Sequence, residues 1–135
     1  MKRVFVDTNV ILDVVLQRDG FWSDSLKVFQ LAEHGKIKAY VSASSITDVF
    51  YISRKKLTIP VARQVIADLL SLFEIVGVDG EDLSGALAVP IDDFEDALQA
   101  YCAKKAKADT LITRDTEGFT SIEIAAVTPT EFTLD

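Results

Sequence analysis

Short apolar runs alternate with stretches of helical period along this chain, and that alternation is its tightest constraint on fold. Val4-Phe5-Val6, Ile37 to Val41, Phe73 to Val78, Ala108 to Ile112 and Ile124 to Val127 read as strands, and the segments between them carry apolar residues at helical spacing. A strand, a helix and another strand in succession demand a crossover, so the expected architecture is α/β with a mostly parallel sheet. In an open sheet of that kind, ligands collect beyond the carboxyl ends of the strands.

The first strand ends in Asp7-Thr8-Asn9, whose small oxygen-bearing side chains suit the loose amides of a helix start, here the apolar Val10 to Val15. Ser23 is the expected N-cap of a helix running to His34, with Gly35 as its stop signal and Phe21-Trp22 packed just ahead of it. Ser42 to Ser45 turns into a helix reaching Ser53, where Ser45 and Asp48 have capping-box spacing. Thr58 and Pro60 open another helix, and Asp79-Gly80 leads into a short one that ends near Pro90. The next takes Asp92 as N-cap with Glu95 as its box partner and clusters Phe94, Ala97, Leu98, Tyr101 and Cys102 on its buried side. That register puts Asp96 in the first turn, off the core. The fourth strand closes in Thr113-Arg114-Asp115, repeating the ending of the first.

At 135 residues, with 49% apolar residues and no linker or repeat, the chain is expected to be a single domain, 1–135. Its apolar runs are too short to span a bilayer, and Asp7 interrupts the tract after Lys2-Arg3 too early for a signal peptide, so a soluble cytoplasmic protein is expected. The lone Cys102 reads as a buried thiol. The net charge of −7 removes the bulk attraction on which non-specific nucleic-acid binding depends, so any phosphate contact must come from small basic patches.

Four acids stand where such a fold can gather them: Asp7 after the first strand, Asp48 on a helix, Asp96 in a first turn and Asp115 after the fourth strand. Taken singly, each reads as a cap or a solvated charge. Crowded together they would raise one another's pKa, a conflict that a divalent cation resolves, and hard carboxylate oxygens without a His or Cys cluster favour Mg²⁺ or Mn²⁺, one or two ions. Metal-assisted phosphodiester hydrolysis follows, with Thr8, Asn9 and Thr113 as hydrogen-bonding support. Asp13 is expected to point elsewhere, Asp93 to serve helix initiation, and Asp109 to lie at the opposite edge of the sheet from Asp115.

The segments Val4 to Asp13, Ser42 to Asp48, Asp93 to Gln99 and Leu111 to Asp115 together resemble the PIN-domain nucleases, in order and spacing over nearly the whole chain, and among them the small prokaryotic VapC-like toxins. The resemblance implies a three-layer α/β/α domain with about five central strands and an active site of Asp7, Asp48, Asp96 and Asp115. It further implies a Mg²⁺- or Mn²⁺-dependent ribonuclease, an antitoxin partner and a homodimer. Where the family often has Glu, this chain has Asp48. A carboxylate displaced by roughly 1 Å can lower a rate by about 10²-fold if nothing relieves it.

RNA is the expected substrate, with Arg54, Lys55, Lys56 and Arg114 as candidate substrate contacts and Lys104-Lys105-Lys107 as a further basic patch. The acid surplus also suits a basic antitoxin segment that inserts an Arg or Lys near the carboxylates. Two other readings fit the same residues: a non-catalytic PIN-like module that binds RNA or protein, and a phosphatase acting on small esters.

Overall fold

The computed structural model describes residues 1–134. Five strands, β1 (Lys2–Val6), β2 (Ile37–Ser42), β3 (Glu74–Val76), β4 (Thr110–Ile112) and β5 (Ala125–Val127), form one sheet in the order β3-β2-β1-β4-β5. All four pairings are parallel, so the expectation of a mostly parallel sheet is met in full. Six helices flank it: α1 (Thr8–Val15), α2 (Trp22–Glu33), α3 (Ala43–Ser53), α4 (Ile59–Leu72), α5 (Gly80–Ala86) and α6 (Phe94–Lys105).

Strand alternation divides the core into two layers. Val4, Val6, Ala39, Val41 and Ile112 face α1 to α4, whereas Phe5, Tyr40 and Leu111 face α5 and α6. A sheet covered on both faces must be apolar on both, which is why these strands read as continuous apolar runs rather than as alternating ones. Val4, Phe5, Val6 and Leu111 are fully buried, each contributing roughly 1.5–3 kcal/mol of transfer free energy.

Helix ends account for several departures from the expected boundaries. Ser42 caps α3 by accepting from the Ser45 amide at 3.1 Å, so Asp48 lies in the second turn and the Ser45–Asp48 capping box does not form. Asp93, not Asp92, caps α6, through the Asp96 amide at 3.0 Å, and Glu95 is no box partner. Helix α2 begins at Trp22 with no side-chain cap, because the turn at Arg18 runs directly into it; Ser23 is already inside the first turn. Its other end behaves as expected: Gly35 takes φ +69°, and the Gly35 and Lys36 amides return to Ala32 and Leu31.

The chain builds β1, β2 and β3 outward on one side, then crosses to place β4 on the other side of β1. The switch point therefore lies between β1 and β4, and a crevice opens beyond their carboxyl ends. Asp7 and Thr113 are the first residues past those two strands. No helix among the described residues is long and apolar enough to cross a membrane.

Candidate active site

Asp7 sits at the switch point, 6% exposed, with its carboxylate held from three sides. Oδ1 accepts from the Thr8 amide at 2.8 Å and from Gln99 Nε2 at 3.0 Å; Oδ2 accepts from Thr113 Oγ1 at 2.8 Å. A carboxylate offers about four lone-pair sites, so Asp7 is locked in one rotamer and keeps acceptor capacity for a ligand.

Gln99 is the residue that sequence reasoning passed over. It is a buried amide on an otherwise apolar face of α6, between Ala97, Leu98, Ala100 and Cys102. Asp7 can only accept, so the Gln99 amino group must face it and the Gln99 oxygen must face away, where Ser42 Oγ donates to it at 2.7 Å. The same amino group lies 3.0 Å from Ser45 Oγ and 3.3 Å from Thr8 Oγ1, and those two hydroxyls are 2.6 Å apart. A closed network thus ties Asp7 to α6 and to the start of α3, the helix that carries Asp48. The available signal was spacing: Gln99 follows Asp96 by three residues and so shares its side of the helix.

Asp7, Asp48 and Asp96 line one cleft of about 580 Å³, together with Thr8, Asn9 and Gln99. Burial is the first cause that pushes the Asp96 carboxyl up to about 6, followed by the negative charges of Asp93, Asp7, Asp115 and Glu95. Asp48, half-buried on the facing wall, is raised by burial. Asp115 is exposed; its amide donates to Thr113 Oγ1 at 3.1 Å and its Oδ1 accepts from the Gly118 amide at 3.3 Å, so Thr113 touches both Asp7 and Asp115. Gly118 matters for what it lacks. A Cβ there would stand 3.0 Å from Asp115 Oδ2 and 3.3 Å from Asp96 Oδ2, so both carboxylates lean over the bare glycine.

Among the described residues, no three His, Cys, Asp or Glu side chains stand close enough together to hold an ion without moving. The acids are neighbours around an open crevice, with oxygen donors only, and Asp96 registers the charges of both Asp7 and Asp115. This donor set fits a hard divalent cation that keeps part of its water shell. It does not fit zinc.

The basic candidates divide. Arg54 and Lys55 stand 4.4 Å and 5.0 Å from the ring centroid of Tyr51, which lines the cleft one turn beyond Asp48. Lys56 is exposed nearby in sequence. Arg114 turns the other way: its Nε lies 2.8 Å from Oδ2 of the fully buried Asp13, close but misaligned as a hydrogen bond, and its guanidinium covers the Phe21 ring at 4.2 Å. Its backbone amide reaches Asn9 Oδ1 at 3.4 Å. Lys105 is paired with Asp82 at 2.8 Å and bonds the Gly77 carbonyl, away from the cleft. Phe94, expected in the core, is 42% exposed and forms part of the cleft wall, because the cap at Asp93 makes it the first residue of α6. Asp109 lies across the sheet as expected, accepting from the Arg3 amide at 2.8 Å. Cys102 is buried, and burial pushes its thiol up to about 11.

A three-layer α/β/α domain with an all-parallel five-stranded sheet and carboxylates at its switch point has the architecture of a PIN domain. The chain belongs to that family, whose model matches residues 3–117. It is similar to Ribonuclease VapC1 of Aquifex aeolicus (strain VF5), with 27% identity over 136 residues, 97% of this chain and 93% of that protein. Two solved structures share the fold. VapBC2 from Rickettsia felis bound to a DNA fragment from its promoter gives a TM-score of 0.70 at 17% identity over 93% of this chain and 98% of that one. A toxin–antitoxin complex from Klebsiella pneumoniae gives 0.69 at 22% identity over 93% and 97%.

Proposed function

We propose that this protein is a divalent-metal-dependent endoribonuclease in which Asp7, Asp96 and Asp115, with Asp48 from the facing wall, hold Mg²⁺ or Mn²⁺ as one or two ions. The observation that carries the reading is the convergence of acids from separate elements: Asp7, Asp48 and Asp96 line one cleft, and Asp115 Oδ2 and Asp96 Oδ2 lie 3.0 Å and 3.3 Å from the same point beside Gly118. Sequence similarity to a ribonuclease over nearly the whole chain supports RNA as the substrate. The chemistry supplied by such a cation when bound is polarisation of the phosphodiester and activation of water. The chain's own part is placement. Thr113, Thr8 and Gln99 fix the Asp7 carboxylate, and the glycine at 118 leaves room for Asp96 and Asp115 to share one space.

In the same reading the protein acts in the cytoplasm as the toxin of a toxin–antitoxin pair. Structural likeness to two such assemblies and the net charge of −7, suited to a basic partner segment, support this assignment. Ile59 and Leu70, exposed along the same side of α4, offer an apolar surface to a protein partner, whether antitoxin or a second copy in a homodimer.

The test is incubation of pure protein with a mixed structured-RNA pool in Mg²⁺ and, separately, in Mn²⁺, with chelator and Asp7→Asn as controls. Cleavage abolished by both controls supports the enzyme. Metal binding without cleavage, in a preparation free of any copurified protein, favours a binding module instead.

A further inference from the structure

The cleft poses an electrostatic problem for an RNA substrate. Its floor is carboxylate, and among the described residues lining it none is Lys or Arg. Neutralising the floor allows a phosphodiester to approach but contributes little grip on the rest of the strand. Two features of the walls can supply that grip. Tyr51, on α3, is 55% exposed, and Phe94, on α6, is 42% exposed; both rings line the cleft, each on a helix that also contributes an acid. Neither ring is buried, so packing alone does not explain them.

Building on the ribonuclease reading, we propose that Tyr51 and Phe94 are substrate-positioning stacking walls that seat unpaired bases on either side of the phosphodiester over the acids. Arg54 and Lys55 at the Tyr51 ring carry the adjoining phosphates. Stacking on an aromatic face is indifferent to net charge, which suits an acidic protein, and tolerates any base because every base has a π-face. The cations beside Tyr51 already engage its ring, at 4.4 Å for Arg54 and 5.0 Å for Lys55, so an aromatic surface for bases and positive charge for phosphates stand side by side at the cleft edge. Bases in a duplex have both faces occupied by neighbours and cannot stack on such a surface without being unpaired. Single-stranded segments and loops are therefore the form of RNA this cleft accepts.

The experiment measures cleavage and binding of one fluorescent oligoribonucleotide, single-stranded and annealed to its complement, by the wild type, Tyr51→Leu, Phe94→Leu and Tyr51→Phe. Thermal melts verify folding, which substitution at these exposed positions should leave intact. Removing either ring is expected to raise KM for the single strand by roughly 5- to 100-fold with kcat little changed, the pattern of lost binding outside the reacting atoms. Tyr51→Phe keeps the ring and should behave as wild type, and the duplex should be a poor substrate for every variant. Equal cleavage of duplex and single strand, or Leu variants with unaltered KM, would overturn the proposal while leaving the nuclease reading intact. Ring-dependent binding of the single strand without cleavage under any metal would sink the nuclease reading and keep the stacking walls. Variants that leave RNA affinity unchanged but release a copurified protein would reassign the walls to a protein contact, and so overturn the proposal too.

Discussion

Thr113 Oγ1 donates to Asp7 Oδ2 at 2.8 Å across the seam between β4 and β1, and the same oxygen accepts the Asp115 amide at 3.1 Å. One hydroxyl thus orders two acids from two strand ends, and it is fully buried. Thr113→Val preserves shape but leaves the Asp7 oxygen and the Asp115 amide short of a partner. Loss of a hydrogen bond to a charged group should lower stability by roughly 1.5–3 kcal/mol. Mn²⁺ affinity should fall about 10- to 100-fold, the usual effect of removing a group that orients a metal ligand. Thr113→Ser should retain most of both. Denaturant melts and a Mn²⁺ titration followed by electron paramagnetic resonance give the two readouts.

Gln99 should matter to the same degree from the opposite side. Gln99→Leu removes the donor to Asp7 and takes from the Ser42 hydroxyl its 2.7 Å acceptor, leaving it the neighbouring Ser44 and Ser45 hydroxyls at 3.0 Å and 2.9 Å. A reduction in cleavage of about 10²-fold is expected if the Asp7 carboxylate shifts by roughly 1 Å. Gln99→Glu places a titratable carboxyl against Asp7, so its Mn²⁺ affinity relative to Gln99→Leu should depend on pH, rising as the added group ionises beside the cation. Identical pH profiles for the two variants would assign Gln99 to packing alone.

Asp96 makes stability depend on pH with a definite sign. Its carboxyl moves up to about 6 from an ordinary 3.8, chiefly by burial and then by Asp93, Asp7, Asp115 and Glu95. A raised acid pKa favours the fold below the unfolded value and is a liability above the folded one. Without divalent ions, Asp96→Asn should therefore melt above wild type at pH 7, and the difference should shrink through pH 6 and vanish below about pH 4. Divalent affinity of the wild type should rise across the same window, because a bound cation displaces the proton. Calorimetric scans from pH 3.5 to pH 7.5, with and without Mg²⁺, measure both.

What the sequence made legible follows from how local each determinant is. Strand periodicity and the paired endings at Asp7 and Asp115 are local, and they led to the parallel sheet and its acidic rim. The caps were placed one to three residues off at Asp92 and Ser45, because runs such as Ser42-Ala43-Ser44-Ser45 and Asp92-Asp93 offer competing oxygens that only the packed helix axis resolves. That slip hid Phe94, since a cap at Asp92 places it deeper in the helix. Gln99 and Gly118 escaped for a different reason. Their importance lies in contacts with residues 92 positions away for Gln99 and Asp7, and in a Cβ that is missing, and neither leaves a periodic trace.

Gly118→Ala tests the missing Cβ. The added methyl would press on Asp115 Oδ2 at 3.0 Å and Asp96 Oδ2 at 3.3 Å, both ends of flexible side chains, so the fold should tolerate it while the carboxylates spread. Metal affinity should fall by about 10-fold or more, at the low end of the effects that follow when a ligand loses its orientation. A Mn²⁺ titration that returns the wild-type constant would show that the acids have room to spare.

Arg114 separates a structural from a substrate role. It stands between Thr113 and Asp115 in sequence, yet its guanidinium pairs with Asp13, which is fully buried and, among the described residues, has only Arg18, at 3.5 Å, as a second charged partner. Arg114→Ala therefore leaves a buried carboxylate nearly alone. Breaking such a pair costs roughly 3–5 kcal/mol when both partners are buried, and the low end or below applies here because the Arg114 side chain remains 32% exposed. Asp13→Asn removes the stranded charge, so the double variant should regain most of the lost stability in denaturant melts. RNA affinity should follow stability across the set. If Arg114 instead contacts substrate, Asp13→Asn will restore the melt and leave the loss of RNA affinity in place.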